Sequence, residues 1–426
     1  MSTFTADTYQ NEYLSEGATE VNAVVTVTAG GSGAGAASAP TDAVEIIVID
    51  CSGSMDYPPS KIRAARQATA TAIGCLRDGV WFAVIAGTKT ARQVFPPTGG
   101  LVRASPETRA EAGAEVARLK ANGGTAIGEW LVLADQLFAQ QPTAIHHAIL
   151  LTDGKDEGEY PQYLDQVLAA CQGHFQCDCR GVGTDWVVSE LRKVATALLG
   201  SVDIVADPGE LEADFQSMIE AAMGKGVNNV ALRVWAPQGA EVMFVKQVSP
   251  NIDDLTPKRT VVNPLTADYP TGAWGDESRD YHLCIKVRPG NVGDEMLAGR
   301  VSLVVDDQPQ SQALVKATWT DDTQLSTRIN QAVAHYTGQA ELAQNIQEGL
   351  EARKQGDENT ATLKLGRAVQ LAAEAGNEAT TKLLAKVVDV EDAASGTVRL
   401  KRQVDDADEM ALDTRSTKTV RLGKST

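Results

Sequence analysis

The sequence predicts a doubly wound α/β domain inserted in an antiparallel β-sandwich domain, followed by a small α-helical bundle and a disordered tail. Three observations carry that expectation. From Asp42 to about Met223, β-branched apolar runs alternate with stretches of helical period, the pattern of a parallel sheet covered by helices. Over 229–320 the pattern changes to short alternating runs separated by Pro, Gly, Asn and Asp, which reads as antiparallel β structure. Between an early strand at 20–28 and the α/β pattern lies a Gly- and Ala-rich stretch, 29–40, with no side chains for a core, so the early strand has to find its partners much later in the chain.

The expected divisions are 1–41 (a strand of the β domain plus the Gly-rich linker), 42–224 (the α/β domain), 225–321 (the β-sandwich), 322–386 (the helical bundle) and 387–426 (the tail). Within the α/β domain the strand candidates are 44–50, 80–86, 145–151, 175–182 and 202–205. Helix candidates are about 60–77, 106–120, 127–139, 160–172, 186–198 and 208–223, with Pro106 and Pro208 standing where a first helical turn tolerates proline. The β-domain strands are expected at 230–234, 240–248, 281–287, 297–305 and 312–319. In the bundle, Ile329, Val333, Tyr336, Leu342, Ile346 and Leu350 fall at spacings of three and four, as do Ala361, Leu365, Ala368 and Leu371. The tail alternates acidic and basic residues with few apolar ones and reads as disordered.

A chain of 426 residues exceeds one ordinary core, so several domains are expected. Its net charge of -18 argues against nucleic acid or an anionic membrane as partner, since both attract basic surfaces. Residues 1–20 have no basic segment followed by an apolar core, and no apolar run approaches the roughly 20 residues that span a bilayer. A cytoplasmic location is the expectation, with the 6 cysteines as reduced thiols.

The stretch Val44–Ser54 is the chemical focus. An apolar run that ends in Asp50-Cys51-Ser52-Gly53-Ser54 is a buried strand delivering oxygen atoms to the carboxyl edge of a sheet, where open α/β folds place their ligand sites. Asp50, Ser52 and Ser54 are hard oxygen donors of the kind that suit Mg²⁺ or Mn²⁺. Asn122-Gly123-Gly124-Thr125 adds a threonine in a Gly-rich loop entering a helix, and Ile149-Leu150-Leu151-Thr152-Asp153 repeats the strand-then-acid layout on the same edge. In this combination the sequence resembles a von Willebrand factor A domain of bacterial cytosolic type. The resemblance covers about 42–223 and implies a Rossmann-like fold with a metal-ion-dependent adhesion site. Asp50, Ser52, Ser54, Thr125 and Asp153 match its five positions. It also implies a protein partner that supplies a carboxylate to the metal, hence a protein-binding scaffold rather than an enzyme. Relatives that serve as accessory subunits of AAA-type ATPases in chelatase or cofactor-loading machines supply the alternative role.

Other chemistry fits these residues less well. A strand-terminal Asp with a later Thr152-Asp153-Gly154-Lys155 superficially resembles metal-dependent phosphohydrolases, but these keep a general acid two residues after the nucleophile, where Ser52 stands. The cluster Cys171, Cys177, Cys179 invites zinc, yet C-x-C on a strand points both thiols to one face, as buried core residues do. His146 and His147 lie mid-strand and read as structural. In the tail, Thr414, Thr417 and Thr419 have basic neighbours. They are candidate phosphorylation sites that a phosphothreonine-reading, forkhead-associated protein of a Ser/Thr kinase pathway would recognise.

Overall fold

The strand Ala43–Asp50 is buried at every position, as the centre of a parallel sheet with both faces covered must be. In the computed structural model, residues 3–30 and 42–422 are described; the Gly-rich stretch at 31–41 lies outside them. The chain divides into two units: 37–228, and a second unit in which the residues before 37 join those from 229 onward.

The sheet of the 37–228 unit runs Val202–Val205, Gln176–Val182, Ile145–Thr152, Ala43–Asp50, Trp81–Gly87, Ala91–Phe95. The first five are parallel, while Ala91–Phe95 and the short Val102–Arg103 add antiparallel edges not foreseen from the sequence. Ala43–Asp50 has Trp81–Gly87 on one side and Ile145–Thr152 on the other, so the strand order reverses at its carboxyl end. That crevice is where open α/β sheets bind ligands. Helix Ile127–Phe138 is seated by Trp130, whose ring lies where a Cβ on Gly87 would be 2.3 Å away and whose Nε1 donates to Thr88 O at 2.7 Å. Only glycine at 87 lets the indole approach the strand so closely.

Under this sheet a charged network replaces apolar packing. His147 donates from Nδ1 to the Glu45 carboxylate at 2.9 Å and from Nε2 to Asp178 Oδ2 at 3.0 Å. Asp178 Oδ1 also accepts from Ser201 N and Oγ, and Arg180 continues the network to Asp214 on helix Leu211–Met223 at 2.7 Å. Burial opposes the charged imidazole, but the two carboxylates outweigh it and raise His147 from 6.5 to about 10. His146 instead bonds to Gln141 O and His174 O and stacks on Phe138, a structural role. Cys177 and Cys179 are fully buried with Sγ atoms 4.0 Å apart, and Cys171 is buried too.

The second unit is built on two sheets. One runs Thr3–Gln10, Glu20–Gly30, Ser278–Lys286, Glu241–Ser249, Asp253–Asp254; the other runs Thr260–Asn263, Thr266–Trp274, Val227–Trp235, Glu295–Val305, Gln308–Thr320, Tyr13–Ser15. Apart from Thr266–Trp274 with Val227–Trp235, the pairs are antiparallel except Gln308–Thr320 with Tyr13–Ser15, which is parallel. Glu20–Gly30 pairs along its length with Ser278–Lys286, joining chain segments some 250 positions apart. The strands at 3–10 and 13–15 and the 260–274 hairpin were not expected; their apolar residues are too few or too irregularly spaced to mark a strand.

Helices Gln331–Lys354, Glu358–Glu374 and Glu378–Val387 carry a core of Leu342, Ile346, Leu350, Leu365, Ala368, Leu371 and Leu384. Asn330, Asp357 and Asn377 cap their N-termini through side-chain oxygens. Ile329, expected on the first apolar stripe, precedes this helix and is 77% exposed.

The expectation of a disordered tail is overturned. Residues 388–400 form a hairpin, Val388–Asp392 with Thr397–Leu400, and Asp406–Arg415 is a helix whose Leu412 is buried in the bundle core. The bundle therefore has a fourth helix. Beyond it the chain runs as a strap. Ile252 N donates to Thr417 O and Thr419 N to Pro250 O, and the buried amide of Gln339 bonds both N and O of Val420. Arg421 Nη2 then reaches the buried Asp280 at 2.9 Å, a carboxylate also holding Tyr336 OH and Thr26 Oγ1. Backbone and polar partners, rather than apolar burial, order this segment, which is why its composition is misleading. The three candidate threonines lie within it: Thr414 is buried with its hydroxyl on Met410 O, Thr417 is half-buried, and Thr419 Oγ1 donates to Val248 O at 2.7 Å.

Two measurements check these contacts. The protonated His147 ring stabilises the fold fully below pH 6.5 and loses that contribution as pH rises through 10, so the gap in unfolding midpoint between wild type and His147→Gln is expected to narrow over that range. Arg421→Ala removes a half-exposed ion pair to a buried carboxylate and is expected to cost about 1 kcal/mol, read in denaturant unfolding.

Candidate functional site

Three loops at the carboxyl edge are laced together by their backbones. Cys51 N donates to Gly87 O at 2.7 Å, Asn122 N to Cys51 O at 2.7 Å, Gly53 N to Gly123 O at 2.9 Å and Ala126 N to Thr88 O at 3.1 Å. Gly123 makes its turn at φ +104, a conformation other residues resist. The fourth loop, after Asp153, is clamped onto the start of helix Ile127–Phe138. Gly158 N donates to Thr125 O at 2.6 Å, Ile127 N to Asp156 Oδ1 at 3.2 Å and Gly128 N to Glu159 Oε1 at 2.8 Å. Carboxylates suit the positive end of a helix. Burial, and then the nearby Glu159, push the Asp156 carboxyl up to about 7; Glu159 Oε2 is buried and has no hydrogen-bond partner among the described residues.

This lacing brings Asp50, Ser52, Ser54, Thr125 and Asp153 to one point. Asp50 is fully buried: Oδ1 accepts from Ser52 N at 2.7 Å and Oδ2 from Thr152 Oγ1 at 2.5 Å, while burial raises its carboxyl to about 6. Ser52 Oγ and Ser54 Oγ lie 2.9 Å apart, and Ser54 Oγ donates to Asp153 Oδ1 at 2.7 Å. A Cβ built on Gly154 would stand 3.1 Å from Thr125 Oγ1, 3.4 Å from Ser54 Oγ and 3.9 Å from Asp50 Oδ2. Oxygens from two of the four loops therefore face one small space beside the third, at Gly154, that a single methyl group would fill.

That donor set fits a hard divalent cation. It offers only oxygens, two of them from carboxylates, and no thiolate or imidazole. Among the described residues no group of three His, Cys, Asp or Glu is placed to hold a metal ion, and this set falls outside that description because its other donors are hydroxyls.

Several residues at the site had no signal in the sequence. Thr152 steadies Asp50 through its hydroxyl. Lys61, in the first turn of helix Ser60–Cys75, is 5% exposed and places Nζ 2.7 Å from Asp153 Oδ2 and 3.1 Å from Asp185 Oδ2. Burial disfavours its charge, but the bonds to Asp153 and Asp185 outweigh this and raise it above the usual lysine value. A lysine on a helix ordinarily reads as surface, so only the fold shows this one turned inward.

The fold and site define an α/β interaction module with a cradle of hard oxygens at its switch point. Residues 45–204 match the von Willebrand factor type A domain, and residues 370–416 match the von Willebrand factor type A C-terminal domain. A solved von Willebrand factor type A structure from Catenulispora acidiphila is 54% identical, with 99% of this chain and 98% of that one covered and a TM-score of 0.94. The chain belongs to the von Willebrand factor type A family. The ArnB paralog VWA2 from Sulfolobus acidocaldarius, at 12% identity and TM-score 0.62 over 98% of both chains, shares the fold. An uncharacterized protein of Synechocystis sp. is 31% identical over 215 residues, 49% of each chain, so the match spans about half the length of that curated relative. Membership carries a protein-interaction or scaffold role. The match at 370–416 also places part of the segment expected to be a tail within a recognised domain.

Proposed function

We propose that this protein is a scaffold whose 37–228 unit captures an acidic side chain of a protein partner through a divalent ion, Mg²⁺ or Mn²⁺, at Asp50, Ser52, Ser54, Thr125 and Asp153. The observation that carries this reading is the space between the oxygens of Thr125, Ser54 and Asp50, kept open by Gly154. A hard divalent ion supplies a Lewis-acidic contact that prefers an anionic oxygen from a partner. The protein's residues set up that contact. Asp50 and Asp153 provide charge, and the three hydroxyls provide neutral donors that do not exhaust the ion's positive charge. Ser52 N and Thr152 Oγ1 fix the buried Asp50 carboxylate without rearrangement on binding. No catalysis is part of this role: the position two residues after Asp50, where a phosphohydrolase keeps its acid, is a serine whose hydroxyl is engaged with Ser54.

Two experiments test the reading. Calorimetry on the full chain is expected to show Mg²⁺ or Mn²⁺ binding that Asp50→Ala abolishes and Gly154→Ala weakens at least tenfold, about 1.4 kcal/mol, with the unfolding midpoint of Gly154→Ala preserved. A pull-down from the native cell in Mg²⁺ and in EDTA is expected to show a partner lost on chelation and absent with Asp50→Ala. A partner set unchanged by either treatment rejects metal-mediated capture, and identification of a lost partner as an AAA-type ATPase would assign the accessory role.

A further inference from the structure

We infer that Lys61 is the residue that sets how tightly the oxygen cradle holds its divalent ion and how much positive charge the loaded site presents to a partner. This rests on the metal-binding reading above and names what regulates that same site. An ammonium group stands directly against a cradle carboxylate. Lys61 is buried at the foot of the first helix, and its Nζ bonds to Oδ2 of Asp153, while Ser54 Oγ takes Oδ1 of the same carboxylate. The second bond, to Asp185 Oδ2, goes to a side chain that is 70% exposed and so weakly felt through solvent. The backbone is shaped around the lysine. Gly183 turns at φ +69, and a Cβ there would come within 3.3 Å of Lys61 Cε and 3.7 Å of Nζ.

A buried ammonium is retained only where paired, and the shorter of this one's two pairings, at 2.7 Å, is to a member of the cradle. Its charge consequence is direct. Asp50 and Asp153 with Lys61 form a set with one net negative charge, so a divalent ion leaves the loaded set one charge positive; with a neutral residue at 61 the loaded set would be neutral. Lys61 thereby repels the ion that the carboxylates attract, and adds to the field that draws in an external carboxylate. It also keeps the buried Asp153 carboxylate partnered when the site is empty. Lys61 is a positioning and charge-setting residue, and the site it creates trades affinity for the metal against affinity for the anion.

Calorimetric titration of the full chain with Mg²⁺ alone tests this, using Lys61→Gln, which keeps a donor and removes the charge, and Asp185→Asn, which removes the outer acid. Lys61→Gln is expected to bind Mg²⁺ about tenfold tighter than wild type, and Asp185→Asn about threefold weaker. A role confined to holding the fold together predicts weaker binding for Lys61→Gln, as would any general loosening. The metal-free Lys61→Gln chain is further expected to unfold at a lower temperature than wild type, with Mg²⁺ restoring most of the difference. Equal or weaker Mg²⁺ binding by folded Lys61→Gln overturns the inference. Should that variant not fold, unchanged or tighter binding by Asp185→Asn overturns it. If wild type binds Mg²⁺ in an Asp50-dependent way and only these shifts fail, the charge-setting role alone falls; if wild type binds neither Mg²⁺ nor Mn²⁺, the proposed function falls with it.

Discussion

A carboxylate buried at the end of the central strand is the constraint around which the α/β unit is arranged. Asp50 has no exposure, and an ionised carboxylate removed from water is costly unless hydrogen-bonded. The chain meets that cost with the backbone of Ser52 on one oxygen and the hydroxyl of Thr152 on the other. The first bond fixes the turn into Ser52-Gly53-Ser54, and the second ties the central strand to its neighbour at the residue before Asp153. The geometry of the cradle thus follows from satisfying one buried group. The lacing of the 51–53, 87–88 and 122–126 loops then brings Thr125 within reach.

How much of this was legible in the sequence depends on what kind of force placed each residue. The strands and helices of the α/β unit fall within a few residues of their expected positions, because β-branched runs and helical periods report directly on burial. The five cradle residues were visible because strand ends and Gly-rich loops leave a local signature. Lys61, Asp156 and Glu159 were not, since their roles arise from side chains that meet only after the sheet has assembled. The flanking unit was harder. Thr3–Gln10 alternates threonine and acid with apolar residues too sparse to register, and it is a strand because Glu20–Gly30 offers it a ladder. The error at 387–426 has the same origin. A segment ordered by Gln339, Asp280 and the main chain of 248–252 looks, by composition, like one that cannot fold.

Both units carry charge in their interiors, the flanking one at Asp280. The Glu45, His147, Asp178 and Arg180 network and the Lys61 to Asp153 contact put ionised groups deep in the α/β unit, each paired. Such pairs contribute little net stability compared with apolar packing, but removing one partner is expensive.

The path of the chain through the flanking unit bears on when each part can form during synthesis. Every strand of the 37–228 sheet is complete once residue 205 has emerged, and its last helix once residue 223 has. By contrast Glu20–Gly30, made early, has no partner on its inner edge until 278–286 is made, and Asp280 receives its last ligand only from Arg421, near the end of the chain. Until 278–286 is made, the inner edge of Glu20–Gly30 is an unpaired strand edge open to other chains. Assembled from chain on both sides of the α/β unit and closed by the contacts of 417–421, the flanking unit is the later of the two to complete.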